Sequence, residues 1–118
     1  MKNILLVDDE KSFLRSFAEY LDTYNGIAHV ITAEHGRKAV EILRTAEIDL
    51  VITDLNMPVM DGFELLAYMS KNHPKTPVIV LSAADRDYVK KRLHGFKVFQ
   101  FYEKPLDLSE VAQGILAA

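Results

Sequence analysis

Short apolar runs alternate with amphipathic segments five times along this chain of 118 residues. Each run has the length and the apolar, β-branched character of a buried strand. The segment after each run repeats its apolar residues at helical spacing. Five strand–helix units in succession predict right-handed crossovers and a parallel sheet with helices on both faces, an α/β fold. The predicted strands cover residues 3–7, 28–32, 50–53, 78–81 and 98–102.

The five helical segments differ in how strongly their apolar residues predict anchoring to a sheet. The first is expected to stop at Asn25-Gly26. The fourth, residues 85–94, is charged almost throughout and is expected to be weakly anchored. Gly114 should weaken the fifth by about 1 kcal/mol relative to alanine. The apolar faces are, in chain order, Phe13, Leu14, Phe17, Leu21 and Tyr24; Gly36, Ala39, Val40, Leu43 and Ala46; Phe63, Leu66 and Ala67; Tyr88, Val89 and Leu93; and Leu108, Val111, Ala112, Ile115 and Leu116.

Length and composition limit the kinds of protein that this chain can be. The length suits a single domain, predicted over residues 1–118. A net charge of −3 argues against direct nucleic-acid binding, which relies on clustered Lys and Arg. The absence of cysteine excludes disulfides, thiolate zinc sites and thiol catalysis. No apolar run approaches the ~20 residues of a membrane span, so a cytoplasmic protein without a membrane partner is expected.

Polar residues of particular chemistry follow four of the five predicted strands. They are Asp8-Asp9 after strand one, Asp54 after strand three, Ser82 after strand four and Lys104-Pro105 after strand five. The carboxyl ends of parallel strands lie at one edge of a sheet, and ligands bind at that edge. If strands one and three are neighbours, Asp8, Asp9 and Asp54 meet in one crevice.

Three carboxylates in one crevice repel one another and require compensating positive charge. Mg²⁺ is a hard cation that binds carboxylate and water oxygens, and Lys104 supplies a further charge. Mg²⁺, a lysine and an ionised aspartate together suit in-line phosphoryl transfer, which depends on positioning and charge neutralisation. The sequence therefore favours Asp54 as a nucleophile that forms an aspartyl phosphate.

Each of these residues also has a purely structural interpretation. Asp8-Asp9 suit the N-terminus of a helix, where acids are favoured, and Asp54 suits a turn after a strand. Ser82 alone is most often a capping hydroxyl, and Lys104 alone is most often a solvated surface lysine. The joint occurrence of all of them, in order and at successive strand ends, favours a site.

The chain resembles the receiver domain of two-component response regulators over essentially its whole length. The resemblance is carried by residues 4–10 (ILLVDDE), residues 54–62 (DLNMPVMDG), Ser82-Ala83 and Lys104-Pro105. It implies a doubly wound, flavodoxin-like sheet of five parallel strands in the order 2-1-3-4-5. It also implies a cis peptide bond between Lys104 and Pro105.

The same resemblance implies a role for each residue of the acidic edge. Asp54 would accept a phosphoryl group from a phosphohistidine of a histidine kinase or a histidine phosphotransfer protein. Asp9 and Asp54 would bind Mg²⁺ directly, and Asp8 would bind it through a water molecule. The main-chain carbonyl of Asn56 would be the third protein ligand.

The resemblance further implies a switch that reads the phosphoryl group. Lys104 would pair with Asp54 and then with the phosphoryl oxygens, to which Ser82 would donate its hydroxyl. Phe101 stands where the family has a second, aromatic switch residue, and its neighbour Tyr102 should face the other side of the sheet. The change would reach a surface formed by helix four, strand five and helix five. A homodimer on phosphorylation is compatible with that surface.

Two other functions share parts of this pattern. A small Mg²⁺-dependent phosphatase or phosphotransferase would use the same Asp54 nucleophile. Such enzymes normally need a second acid two residues later, where this chain has Asn56. A flavin-binding module is disfavoured because Asp8-Asp9-Glu10 would repel the flavin phosphate. The chain is therefore expected to be a signalling domain and no enzyme beyond its own phosphorylation and dephosphorylation.

Overall fold

The computed structural model describes residues 2–22 and 28–118, in which five strands alternate with five helices. The predicted helix residue Tyr24 and stop signal Asn25-Gly26 lie outside these residues. None of the helices within them has the length and apolar character to cross a membrane. The elements are β1 (Lys2–Val7), α1 (Lys11–Asp22), β2 (Ala28–Ala33), α2 (Gly36–Thr45), β3 (Leu50–Asp54), α3 (Gly62–Asn72), β4 (Val78–Ser82), α4 (Arg86–Leu93), β5 (Gln100–Glu103) and α5 (Leu108–Ala117).

All five strands pair in parallel, in the order β2-β1-β3-β4-β5. The predicted α/β fold, with a flavodoxin-like sheet of that order, is confirmed. In the register of β1 with β3, Val7 lies opposite Thr53. The residues that come directly after Val7 and Thr53 therefore lie next to each other. Asp54 in turn lies opposite Leu81 of β4, one residue before Ser82.

Two apolar cores cover the two faces of the sheet, because side chains alternate along each strand. In β1, Ile4 and Leu6 belong to one core, and Leu5 and Val7 belong to the other. Helices α1 and α5 complete the first core, and α2, α3 and α4 complete the second. Their contributions are Leu14, Phe17, Leu21, Val111, Ala112 and Ile115 on one face, and Ala39, Leu43, Leu65, Leu66, Met69 and Val89 on the other.

The start of β5 differs from the prediction. The apolar pattern placed the strand at residues 98–102, whereas it covers Gln100–Glu103. Phe99 still donates its N–H to the carbonyl of Val78, at 2.8 Å, but its side chain is 44% exposed. The sequence pattern does not distinguish an exposed apolar residue at the end of a strand from a buried one within it. The predicted start of β5 was wrong for that reason.

Helix α4 is weakly anchored, as its charged sequence predicts. Val89 is its one buried residue. Asp85 caps its N-terminus by accepting the N–H of Tyr88 at 3.2 Å. Near its other end, the Arg92 guanidinium lies 4.0 Å from the ring centroid of Phe63 in α3 and donates to the Tyr88 hydroxyl at 2.7 Å. Val89, the partly buried Leu93 and the cation–π contact to α3 therefore hold much of this helix.

Gly114 lies in the middle of α5, and the structure reverses the sign of its expected effect. The buried Tyr102 of β5 points its hydroxyl at the helix and donates to the Glu110 carbonyl at 3.4 Å. A Cβ atom on Gly114 would overlap that hydroxyl and lie 3.2 Å from the ring carbon that bears it. Glycine makes room for the tyrosine at this position.

We expect Gly114→Ala to lower the free energy of unfolding by about 1 kcal/mol, because overpacking outweighs the gain in helix propensity. Tyr102→Phe removes the hydroxyl that the new methyl group would meet. In that background the loss caused by Gly114→Ala should fall by at least half, and urea unfolding of the four proteins measures this. Equal losses in both backgrounds would contradict the packing argument.

Candidate functional site

Three carboxylates converge at the carboxyl edge of the sheet. Asp8 and Asp9 follow β1, and Asp54 ends the neighbouring strand β3. One carboxylate oxygen from each lies within 4.8 Å of the others. Asp8 and Asp54 are buried, and Asp9 is exposed. The structure therefore brings together the three acids that the strand pattern predicts to meet.

Asp54 is held by hydrogen bonds to both of its carboxylate oxygens. Its Oδ1 accepts the N–H groups of Leu55, at 2.7 Å, and of Asn56, at 3.4 Å. Its Oδ2 accepts from Nζ of Lys104 at 3.1 Å. Behind it, the buried Thr53 hydroxyl donates to the Asp54 carbonyl at 2.8 Å. The strand end and the following turn thus fix the direction in which this carboxylate points.

Lys104 reaches the acids from the loop after β5. Its Nζ lies 3.2 Å from Oδ2 of Asp8 and 3.1 Å from Oδ2 of Asp54. Its backbone N–H donates to the Ser82 carbonyl at 2.8 Å, and its peptide bond to Pro105 is cis, as the resemblance implies. One ammonium therefore bridges two buried carboxylates that the sheet holds side by side.

The pKa values of Asp8 and Lys104 are both raised, for different reasons. Burial raises the pKa of Asp8, against the Glu10 N–H bond and the Lys104 charge that lower it, and the charge of Asp54 raises it further. Burial lowers the pKa of Lys104, but its bonds and charge interactions with Asp54 and Asp8 outweigh this, and the pKa rises. The two shifts are consistent with each other. Two acids stabilise the charged form of one lysine, and that single lysine cannot fully neutralise both acids.

The donor set fits Mg²⁺. All three side chains are carboxylates, the oxygen ligands that this cation prefers, and their oxygens are close enough to share one ion. A divalent cation would also supply the positive charge that Lys104 alone does not provide. Asp8, Asp9 and Asp54 are the residues that would hold it.

The two predicted switch residues lie on adjacent strands beside this cluster. Ser82 ends β4, is fully buried, and accepts the N–H of Ala84 at 3.0 Å through its hydroxyl oxygen. Phe101 lies opposite Val80 in the register of β4 with β5. It is partly buried against the core of α2, α3 and α4, whereas Tyr102 packs into the other core, as strand alternation predicts.

Sequence reasoning missed the contacts that Lys104 makes with Asp8 and with Phe13. The ring centroid of Phe13, in the first turn of α1, lies 5.1 Å from Nζ of Lys104. A signal for the first contact was present, since an acid directly after a fully apolar strand is buried and needs a counter-charge. The ring contact depends on the docking angle of α1, for which the sequence has no local signal.

Comparison with protein families decides what kind of domain this edge belongs to. The sequence model described as "Response regulator receiver domain" matches residues 4–116. The chain belongs to the response regulator receiver domain family. This family consists of signalling domains, and a receiver domain is not a catalytic enzyme by itself.

The receiver domain is similar to parts of longer curated proteins. It is 39% identical over 115 residues to the transcriptional regulatory protein GlrR of Escherichia coli K12, covering 96% of this chain and 25% of that protein. It is 35% identical over 118 residues to a protein-glutamate methylesterase/protein-glutamine glutaminase of Archaeoglobus fulgidus, covering 95% of this chain and 34% of that protein. The chain therefore spans about a quarter to a third of these two relatives.

A solved structure has the same fold. The chemotaxis protein CheY4 of Vibrio cholerae is 27% identical and superposes with a TM-score of 0.88, over 99% of this chain and 98% of that one. A relative of similar length therefore shares the complete arrangement of strands and helices.

The loop between β3 and α3 of this receiver domain contains one strained residue. Val59 has a φ of 69° and is 67% exposed, and the Met60 N–H bonds the Pro58 carbonyl across it at 2.7 Å. Positive φ in a β-branched residue is unfavourable, and such strain persists only where the surrounding structure enforces it. The loop is closed by Asp61, which caps α3 in a capping box with Glu64.

We expect Val59→Gly to raise the free energy of unfolding by about 1 kcal/mol, because released strain exceeds the added entropy of the unfolded chain. Val59→Ala is the matched control, because it retains the Cβ atom that makes positive φ unfavourable. Urea unfolding should show a clear gain for glycine and little change for alanine. A glycine variant no more stable than wild type would show that Val59 is unstrained.

We expect Asp8→Asn to stabilise the fold at neutral pH, on the order of 1 kcal/mol, by removing one of three clustered charges. Burial raises the pKa of Asp8 above 3.8, so ionising this carboxyl costs more free energy in the folded protein than in the unfolded chain. Because the wild-type protein loses stability as Asp8 ionises, the stability advantage of Asp8→Asn should grow between about pH 4 and pH 7. Urea unfolding across that range, in the presence of a chelator, tests this.

An exposed acid on α4 provides the control for that experiment. Asp87→Asn removes one exposed negative charge that is not part of the cluster, and it should show no comparable growth with pH. An advantage of Asp8→Asn that shrinks as the pH rises would contradict the raised pKa.

Proposed function

We propose that Asp54 is the phosphoryl acceptor of this receiver domain in a Mg²⁺-dependent reaction. Receiver domains of response regulators are phosphorylated by histidine kinases. The observation that carries the proposal is the Asp54 carboxylate itself, fixed at the end of β3, beside two further acids and 3.1 Å from Nζ of Lys104. The donor would be a phosphohistidine on a histidine kinase or a histidine phosphotransfer protein.

In the transfer step, an oxygen of Asp54 forms a bond to phosphorus while the bond from phosphorus to the donor imidazole breaks. The imidazole leaves with the electron pair of that bond. Leu55 and Asn56 hold the carboxylate in place through their N–H groups, so no reorientation is needed before attack. Asp9, Asp54 and the Asn56 carbonyl would hold Mg²⁺ directly, and Asp8 would hold it through a water molecule. The ion would neutralise charge on the phosphoryl oxygens.

Lys104 and Ser82 would then hold the phosphoryl group. The Lys104 ammonium already lies against Asp54 and can turn its N–H groups to phosphoryl oxygens. The Ser82 hydroxyl oxygen accepts from Ala84, and its own O–H is a donor that the phosphoryl group would engage. A bond that exists only in the phosphorylated state is the differential contact that a population shift requires.

The proposed response spreads from Ser82 to α4, β5 and α5. Ser82 is three residues before the N-cap of α4, the helix with one buried residue. Phe101 lies beside β4, with the Arg86 guanidinium of α4 5.7 Å from its ring centroid. Movement at the end of β4 would therefore reach Phe101 and α4 before it reached the better-packed helices. Homodimer formation on phosphorylation and a cytoplasmic location belong to the same proposal.

We expect acetyl phosphate with Mg²⁺ to add one phosphoryl group to the wild-type protein, measured by intact mass. Asp54→Asn should abolish this labelling, because an amide does not provide the nucleophilic oxygen. Asp87→Asn should label at the wild-type rate, and a chelator should suppress labelling of both active proteins. Normal labelling of Asp54→Asn would refute the assignment, and turnover of p-nitrophenyl phosphate would favour the enzyme alternative.

A further inference from the structure

The first residue of α2 is pressed against the loop that follows Asp54. The Gly36 N–H donates to the carbonyl of Met60 at 3.1 Å. A Cβ atom on Gly36 would lie 2.6 Å from that carbonyl oxygen and 2.9 Å from Cγ of the same methionine. The nearest contact is with backbone, which cannot rotate away as a side-chain tip can. Glycine therefore allows an approach that any other residue would prevent.

The loop is stiff between Met60 and the site. Pro58 has a fixed φ, and Val59 is held at positive φ with a hydrogen bond across it. At the near end, the Asn56 N–H lies 3.4 Å from Oδ1 of Asp54. At the far end, the Gly62 N–H bonds the Leu55 carbonyl at 2.9 Å. A displacement of Met60 cannot be absorbed within this short segment, so it reaches Asn56.

Helix α2 is in turn fixed to the sheet. Ala39 and Leu43 are buried in the core that includes Val7 and Val51. The strand before it, β2, ends at Ala33, whose carbonyl accepts the N–H of Asp8 at 3.1 Å. The short connection from β2 to α2 is therefore bonded to Asp8 at one end and to Met60, in the loop after Asp54, at the other.

We propose that Gly36 is a positioning residue for the Mg²⁺ and phosphoryl site. It sets the distance of the loop that carries Asn56 from Asp8 and Asp9, which follow the neighbouring strand β1. The inference rests on the proposed function of Asp54, since it concerns the same site. A purely structural role would make Gly36 matter for stability and leave metal affinity alone.

The decisive experiment measures Mg²⁺ affinity and stability separately. We expect Gly36→Ala to weaken Mg²⁺ binding about tenfold by calorimetric titration, the scale seen when groups that orient metal ligands are changed. Labelling by acetyl phosphate should slow at limiting Mg²⁺ and recover at saturating Mg²⁺. Arg37→Ala, on the exposed side of the same helical turn, should leave Mg²⁺ binding and labelling at wild-type values.

Leu43→Ala is the matched control for stability. It removes a buried side chain of the same helix, far from the loop, and should lower resistance to urea while the folded protein keeps its Mg²⁺ affinity within about twofold. Unchanged Mg²⁺ affinity in folded Gly36→Ala, or an equal loss in Leu43→Ala, would overturn the proposal. If the wild type binds Mg²⁺ but is not labelled at Asp54, the proposed function fails and the titration still decides the role of Gly36.

A measurement on the wild type covers the case in which Gly36→Ala does not fold. The Gly36 amide donates to the loop, so Mg²⁺ titration should shift its NMR resonance. Gly95 has nothing within 4 Å of its Cβ position and follows α4, so its amide should not respond. A Gly36 amide that stays unmoved while Mg²⁺ binds would also overturn the proposal.

Discussion

One lysine ammonium placed between two buried carboxylates is the interaction on which this molecule depends. The sheet order sets β1 beside β3, so the acids that follow these strands lie together whatever the side chains prefer. Lys104 balances only one of the two buried charges, and exposed Asp9 adds a third. The resulting excess of negative charge destabilises this edge of the sheet and would favour the binding of a cation there. An arrangement of charges that is unfavourable for folding is thereby well suited to the proposed metal site.

How far the sequence predicts this arrangement depends on the range of each contact. The convergence of Asp8, Asp9 and Asp54 can be predicted from local sequence. Each acid comes at the end of a predicted strand, and the carboxyl ends of parallel strands lie at one edge of the sheet. The Lys104 contact with Asp8, the overlap of Gly114 with Tyr102 and the approach of Gly36 to Met60 arise from the docking of distant elements. No local pattern encodes these distances. The start of β5 was misplaced for a related reason, because the exposed Phe99 resembles strand interior when only its type is known.

The two halves of the domain are built with different stiffness. The loop from Leu55 to Gly62 is closed by backbone hydrogen bonds, a capping box and close contact with α2, and it tolerates a strained valine. Helix α4, by contrast, buries only Val89 and is tethered to α3 by Arg92 over Phe63. A rigid half suits the precise placement of reacting atoms, and a loosely held half responds to small changes in contact. Under the proposed function, the stiff half would receive the phosphoryl group and the loosely held half would transmit the change.

The sparse anchoring of α4 has a consequence for how such domains diversify. Because Val89 and Leu93 are the residues of α4 that pack on a core, the exposed positions of this helix can exchange without disturbing either core. Descendants of one ancestral chain could acquire new outward-facing residues there while the acid cluster stays intact. Divergence of pathways would then proceed by substitutions on a single eight-residue helix, with the proposed phosphoryl acceptor Asp54 retained.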